Sequence, residues 1–219
     1  MAIPLIGLGA GGHARVVLDV LGFLPQYEVK GLLDPNPALA GQTWQGIPIL
    51  GGDDLLPVLK AQGIGHFFVG VGSVADLRPR RKLYEMACTA GLEPAMIVHP
   101  GAYVSAAAVV GRGATVMVRT VINSGACLGE NVIVNTSATI EHDCSIGAHA
   151  HIATGAVLAG GVTVGEGTHV GVGAVVRQGI CIGAGCVVGA GAVVVKDVAD
   201  GMVVVGNPAH PLVKNTLVS

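Results

Sequence analysis

Aromatic side chains are almost missing from this 219-residue chain: three Phe, three Tyr and one Trp, 3% of the total. Rings normally supply much of the bulk of a thick core, so the buried interior here must be narrow and built from small aliphatics. Charge is also sparse. Asp, Glu, Lys and Arg make up 12%, the net charge is −2, and no basic cluster occurs beyond Arg78–Lys82, which argues against a nucleic-acid partner. The five cysteines (Cys88, Cys127, Cys144, Cys181, Cys186) form no CxxC pair. Free thiols in a reducing cytoplasm are the plain reading. No basic segment precedes the first apolar strand, so no secretory signal is expected, and the chain is read as a soluble cytoplasmic protein. Gln178–Val195 lacks both charge and histidine and is long enough to raise the question of a membrane span. Glycines at 179, 183, 185, 189 and 191 interrupt it with a period of their own, so no span is predicted.

What the chain has instead is Gly (35 residues) and a strict repeat. From Val98 to Val194 every sixth residue is a branched aliphatic, seventeen positions without exception. The fifth residue of each hexad is usually small (Ala102, Ala126, Cys144, Ala156), and the fourth is Gly in ten of the seventeen. Asn131 and Asp143 also occupy fourth positions, and both residue types tolerate the left-handed backbone of a tight turn. A period of six fits neither helix nor flat sheet. It fits a coil of three short strands, each hexad forming one side of a triangular prism. The aliphatics then stack into one continuous core.

Residues 1–96 read differently. Ile3–Leu8 is a strand, Gly9–Gly12 a glycine-rich turn, and the segment from His13 to Leu21 a helix. Tyr27–Leu33 and His66–Val71 are further strands, Gly46–Leu50 is short and extended, and Asp53–Ala61 and Ala75–Ala90 carry helical spacing. That alternation indicates a small parallel α/β sheet, Rossmann-like. Ligands bind beyond the carboxyl ends of such strands, where Gly11–His13, Asp34 and Gly72-Ser73 converge. Gly7-x-Gly9-x-x-Gly12 with Asp34 further on satisfies the dinucleotide fingerprint and, taken literally, predicts NAD. Only three good strands fit, however, so half of a dinucleotide fold is missing. A nucleotide diphosphate uses the same backbone N–H groups and helix N-terminus, and a plain tight turn is the third reading. The division expected is residues 1–96 and 97–219.

Three hexads make a coil, so residues eighteen apart stack. His142 stands at a corner with Gly160 above it and Ser124 below, and His151 and His169 share one face. Corner histidines are ordinarily solvated surface, and His99, His149 and His169 are read that way. His142 differs because Glu141 and Asp143 flank it. A carboxylate that accepts from one imidazole nitrogen raises the basicity of the other, as a general base requires. Cys144 points inward by register and is not read as a nucleophile.

Taken in order, Gly9-Ala10-Gly11-Gly12-His13, Leu33-Asp34, Val71-Gly72, Asn135-Thr136-Ser137, Ile140-Glu141-His142-Asp143, His151 and Gly206-Asn207-Pro208-Ala209 resemble one family throughout. It is the hexapeptide-repeat bacterial sugar acetyltransferases, which join a small nucleotide-sugar-binding α/β domain to a left-handed parallel β-helix. The resemblance implies N-acetylation, by acetyl-CoA, of a GDP-linked (perosamine) or UDP-linked 4-amino-4,6-dideoxyhexose. It implies His142 as base, with Asp143 raising its basicity, and His151, Gly160, Val172 and Ala190 along the acetyl-CoA. Gly11, Gly12, His13, Asp34, Pro35 and Gly72 would hold the nucleotide sugar. It further implies no metal and a homotrimer with active sites between subunits. The unbroken register from Val98 to Val194 leaves no long loop to wall off a site, which fits that assembly. Three alternatives stand beside it: O-acetylation of sialic acid, a γ-type carbonic anhydrase with zinc on His142, His151 and His169, and a non-catalytic nucleotide-sugar sensor.

Overall fold

The computed structural model describes residues 2–72 and 76–212. Ser73 and Ala75, expected at a strand end and a helix start, lie outside the described residues.

The amino-terminal unit is built on β1 (Ile3–Leu8), β2 (Tyr27–Leu33), β3 (Thr43–Trp44), β4 (Ile47–Gly51), β5 (His66–Val69) and β6 (Glu93–Pro94), in the order β3-β4-β2-β1-β5-β6. This corrects the expectation of three strands, although β3 and β6 are only two residues each. Pairing is parallel except between β3 and β4. The helices are α1 (Gly12–Leu21), α2 (Leu56–Ala61) and α3 (Arg78–Thr89). α3 begins later than its spacing suggests, with Pro79 in its first turn, where a missing N–H costs nothing.

From Ile97 onward two-residue strands recur every six residues and stack into three parallel sheets. The result is a left-handed parallel β-helix of triangular section. Its first face runs through Ile133–Val134, His151–Ile152 and His169–Val170; the second through Thr139–Ile140 and Val157–Leu158; the third through Ser145–Ile146 and Thr163–Val164. The register inferred from the sequence is the register found: residues eighteen apart pair directly, as His151 with His169. Inward aliphatics from Ile122 to Val194 are almost wholly buried, each worth about 1.5–3 kcal/mol. Cys144 and Cys186 lie in that core, while Cys127 and Cys181 are exposed.

The fourth hexad position is the corner. Arg119, Asn131, Ser137, Asp143 and His149 all take positive φ there, as do nine glycines from Gly113 to Gly191. The apolar run of residues 178–195 folds as solenoid strands, and no helix among the described residues is long and apolar enough to cross a membrane.

The two units share a core. Ile97 and Met117 pack with β1, β2 and α1 residues, and Tyr84 of α3 donates to Glu130 of the solenoid at 2.9 Å.

Candidate active site

His142 occupies the corner between the second and third faces, with its side chain 64% exposed. Its Nδ1 lies 2.8 Å from Asp143 Oδ2. An ionised carboxylate can only accept, so Nδ1 carries the hydrogen and Nε2 keeps a free lone pair. The Asp143 hydrogen bond raises the imidazole pKa above its ordinary value, and the charges of Asp143 and Glu141 add to this. Asp143 reaches the ring because its backbone is left-handed (φ 60°). Glu141 is held in turn: its Oε2 accepts from Asn123 Nδ2 at 2.9 Å and from the His142 backbone N–H at 3.3 Å.

Gly160 lies directly over this imidazole, where a β-carbon would come within 2.5 Å of His142 Nε2. Among the described residues its N–H has no backbone acceptor, in common with the other third hexad positions, including Val172 and Ala190. Side chains take some of these N–H groups, as Asn135 does for Thr136 and Glu141 for His142.

His151 and His169 are not surface residues of the kind expected for His169. Their exposures are 6% and 5%, and their rings meet edge to face with centroids 4.9 Å apart. Asn135 Nδ2 donates to His151 Nε2 at 3.3 Å. Burial lowers the His169 pKa, keeping it neutral. The two rings, Asn135, Val172 and Ala190 line a cleft of about 270 Å³. His149 is likewise buried, contrary to expectation: the Tyr84 ring covers it at 5.5 Å and Asn131 Nδ2 donates to its Nδ1 at 2.9 Å. His99 is half-buried, and its Nδ1 accepts from the Gly101 N–H.

At the carboxyl ends of β1, β2 and β5, Gly11 caps α1 without a side-chain hydrogen bond. A β-carbon on Gly11 or Gly12 would meet nothing within 4 Å, so the first turn of α1 opens onto free space. His13 follows. Burial, then the charge of Arg80 and then that of His151, lower its pKa to about 3, and its Nε2 is buried without a partner among the described residues. Gly72 presses on it, with a β-carbon position 3.2 Å from His13 Cβ. Asp34 does not present a bare carboxylate to a ribose: Oδ2 accepts from Ala10 N–H at 2.9 Å and Oδ1 from Asn36 N–H at 3.0 Å. It braces the glycine turn, and Pro35 beside it is exposed.

The candidate residues therefore fall into two separate groups on the described chain. His13, Gly72, His151, Val172 and Ala190 belong to the crevice and the first face. His142, Asp143 and Gly160 stand at the corner between the second and third faces, opposite that face across the packed core. Sequence reasoning gave no role to Asn123, Asn135 or Arg80, and gave His169 one only in the zinc alternative. For Arg80 one signal existed: with Tyr84 and Ala87 it falls on the buried stripe of α3, where an apolar residue is the norm. No group of three or more His, Cys, Asp or Glu side chains able to hold a metal occurs among the described residues.

Comparison with known proteins gives a consistent result. Residues 5–87 match the PglD N-terminal domain family, while no curated protein matches the sequence. Among solved structures, the acetyltransferase domain of PglB from Neisseria gonorrhoeae FA1090 is 39% identical, covering 96% of this chain and 100% of that one, with a TM-score of 0.89. PerB from Caulobacter crescentus, solved with CoA and GDP-perosamine, is 39% identical over 95% of this chain and 97% of its own, with a TM-score of 0.89. WeeI from Acinetobacter baumannii AYE is more distant, at 26% identity over 95% of this chain and 100% of its own, with a TM-score of 0.82.

Proposed function

Because this chain belongs to the hexapeptide-repeat nucleotide-sugar N-acetyltransferases, acetyl transfer from acetyl-CoA to a sugar amine is its reaction, and we propose that the acceptor is the 4-amino group of a GDP- or UDP-linked 4-amino-4,6-dideoxyhexose. The observation that carries the mechanism is the His142–Asp143 pair beneath Gly160.

The neutral amine attacks the thioester carbonyl, and its proton passes to His142 Nε2, whose lone pair is free because Nδ1–H is committed to Asp143. Asp143 stabilises the imidazolium that forms. The Gly160 N–H stabilises the oxyanion of the tetrahedral intermediate, which collapses to the amide as the C–S bond breaks. The thiolate leaves and takes up the proton from His142, yielding CoA. A direct attack of this kind needs no enzyme nucleophile, and Cys144 is sealed in the core. Gly11, Gly12, His13, Asp34, Pro35 and Gly72 form the nucleotide-sugar crevice, and His151, Gly160, Val172 and Ala190 receive acetyl-CoA. PerB, solved with CoA and GDP-perosamine, supports GDP-perosamine as the first acceptor to try.

The two groups combine as half-sites between copies of the chain, His142 of one facing the crevice of another, in a cytoplasmic homotrimer. The second face supplies exposed aliphatic and aromatic surface for such packing, with Tyr103 at 58% and Val175 at 42% exposure. The zinc reading is displaced by the family, which accounts for the amino-terminal unit as well.

The test is CoA thiol release across GDP- and UDP-linked 4-amino sugars, with wild type and His142→Ala side by side. Turnover on one nucleotide sugar, reduced by orders of magnitude in the variant, is the expected result. Full activity in the variant refutes the assignment of the base.

A further inference from the structure

Arg80 is the largest fully buried side chain among the described residues, at 1% exposure. Nη2 donates to Asn131 O at 3.0 Å, Nη1 lies 3.3 Å from Val71 O and 3.4 Å from Val69 O, and Nε has no partner among the described residues. It makes no ion pair there. Burial lowers its pKa to about 9, so the guanidinium stays charged at neutral pH. A buried cation facing only carbonyl dipoles is an expensive arrangement unless an anion completes it.

The direction in which that anion lies follows from the chain path. Val71, which accepts from Arg80, leads to Gly72, and Gly72 packs on His13 in the first turn of α1. The N–H groups of Gly11 and Gly12 have no backbone acceptor among the described residues, and with the positive end of the α1 dipole they stand at the same crevice. The Arg80 charge is felt there, since it is among the causes that keep His13 neutral.

We infer that Arg80 is the buried counter-charge of the nucleotide-sugar diphosphate, acting through the carboxyl end of β5 and not by contact. The inference rests on the nucleotide-sugar reading above. In a poorly screened interior a single charge several ångströms away changes the affinity for a diphosphate by about tenfold or more. It leaves an uncharged nucleoside nearly unaffected. Arg80 also fastens β5 to the solenoid corner at Asn131, so a structural role must be separated from an electrostatic one.

The experiment is calorimetric binding of GDP, UDP, guanosine and uridine to wild type, Arg80→Lys and Arg80→Met. The expected result is a loss of about tenfold or more for the preferred diphosphate in Arg80→Met, with its nucleoside changed less than about twofold. Arg80→Lys should retain most diphosphate affinity. Equal losses for nucleoside and diphosphate in both variants would overturn the proposal and leave Arg80 as a domain fastener. Should Arg80→Met fail to fold, the Arg80 Nε–H resonance of the wild type decides. It should move on adding the diphosphate and not the nucleoside, and an identical response to both overturns the proposal. If wild type binds neither diphosphate, the nucleotide-sugar reading falls together with it; if it binds one without discrimination by Arg80, only the present proposal falls.

Discussion

Gly160 and His142 are in contact one coil apart, so closely that the glycine's missing β-carbon would stand 2.5 Å from Nε2 of the imidazole. The ring is exposed, so it can give way at the cost of its hydrogen bond to Asp143. Gly160→Ala should therefore fold normally but drive the base from its place. We expect a fall in kcat of about a hundredfold, the scale of one misplaced catalytic group, with the melting temperature within a few degrees of wild type. A variant that kept its kcat would show that this approach has no catalytic meaning.

Asp143→Asn separates basicity from backbone strain, because Asn tolerates the left-handed conformation that Asp143 holds (φ 60°). The proposed mechanism needs neutral His142, so the rate should climb as pH rises through its pKa, which Asp143 places above the ordinary imidazole value. Losing the carboxylate should move that limb to lower pH and reduce the plateau by about tenfold or more, since the base is weaker. A pH–rate profile of kcat/KM for the two proteins checks this; coincident limbs would refute it.

Sites shared between copies predict complementation. His142→Ala and His13→Ala damage opposite half-sites. Mixed and reassembled at equal amounts, random pairing leaves about a quarter of interfaces with both halves intact. Recovery to about that fraction of wild-type turnover is expected, and no recovery after verified exchange would place each complete site within one chain.

Acid should destabilise the fold through its neutral histidines. His13 is lowered to about 3, and His149 and His169 are lowered by burial. Unfolded, each titrates near ~6.5. Their contribution is fully present above that value and is lost as pH falls toward the folded-state pKa, for His13 approaching ~1.4 kcal/mol per pH unit. The melting temperature should drop between pH 7 and pH 5, and His13→Gln should flatten the drop. A melting temperature constant over that range would contradict a buried, neutral His13.

The solenoid was legible because its chemistry is periodic. Val98 to Val194 state the inward positions one by one, and the fourth-position residues state where the backbone must turn left-handed. Eighteen-residue stacking placed Gly160 over His142 without coordinates. What the register could not convey is what covers the prism from outside. His149 occupies a corner that looks solvated from its own hexad, but Tyr84 of α3 lies across it. The residue role of Asp34 was hidden for a similar reason: its carboxylate is consumed by Ala10 and Asn36, a contact set by the loop and invisible in the fingerprint spacing. Arg80 sits inside the basic run Arg78–Lys82, and only the helix phase, with Tyr84 four residues on, marks it as buried.

The eighteen-residue register gives the solenoid the character of a ruler. Each coil advances the prism by about 4.8 Å, one strand spacing, and repeats the same corner amide eighteen residues later. Val172 and Ala190 are successive graduations on one edge, as His142 and Gly160 are on another. Inserting one whole coil between Val172 and Ala190 would set them two strand spacings apart, lengthen the cleft they line and leave the His142 corner untouched. If that cleft receives the acyl carrier as proposed, the number of coils sets in steps the length of carrier it can accommodate.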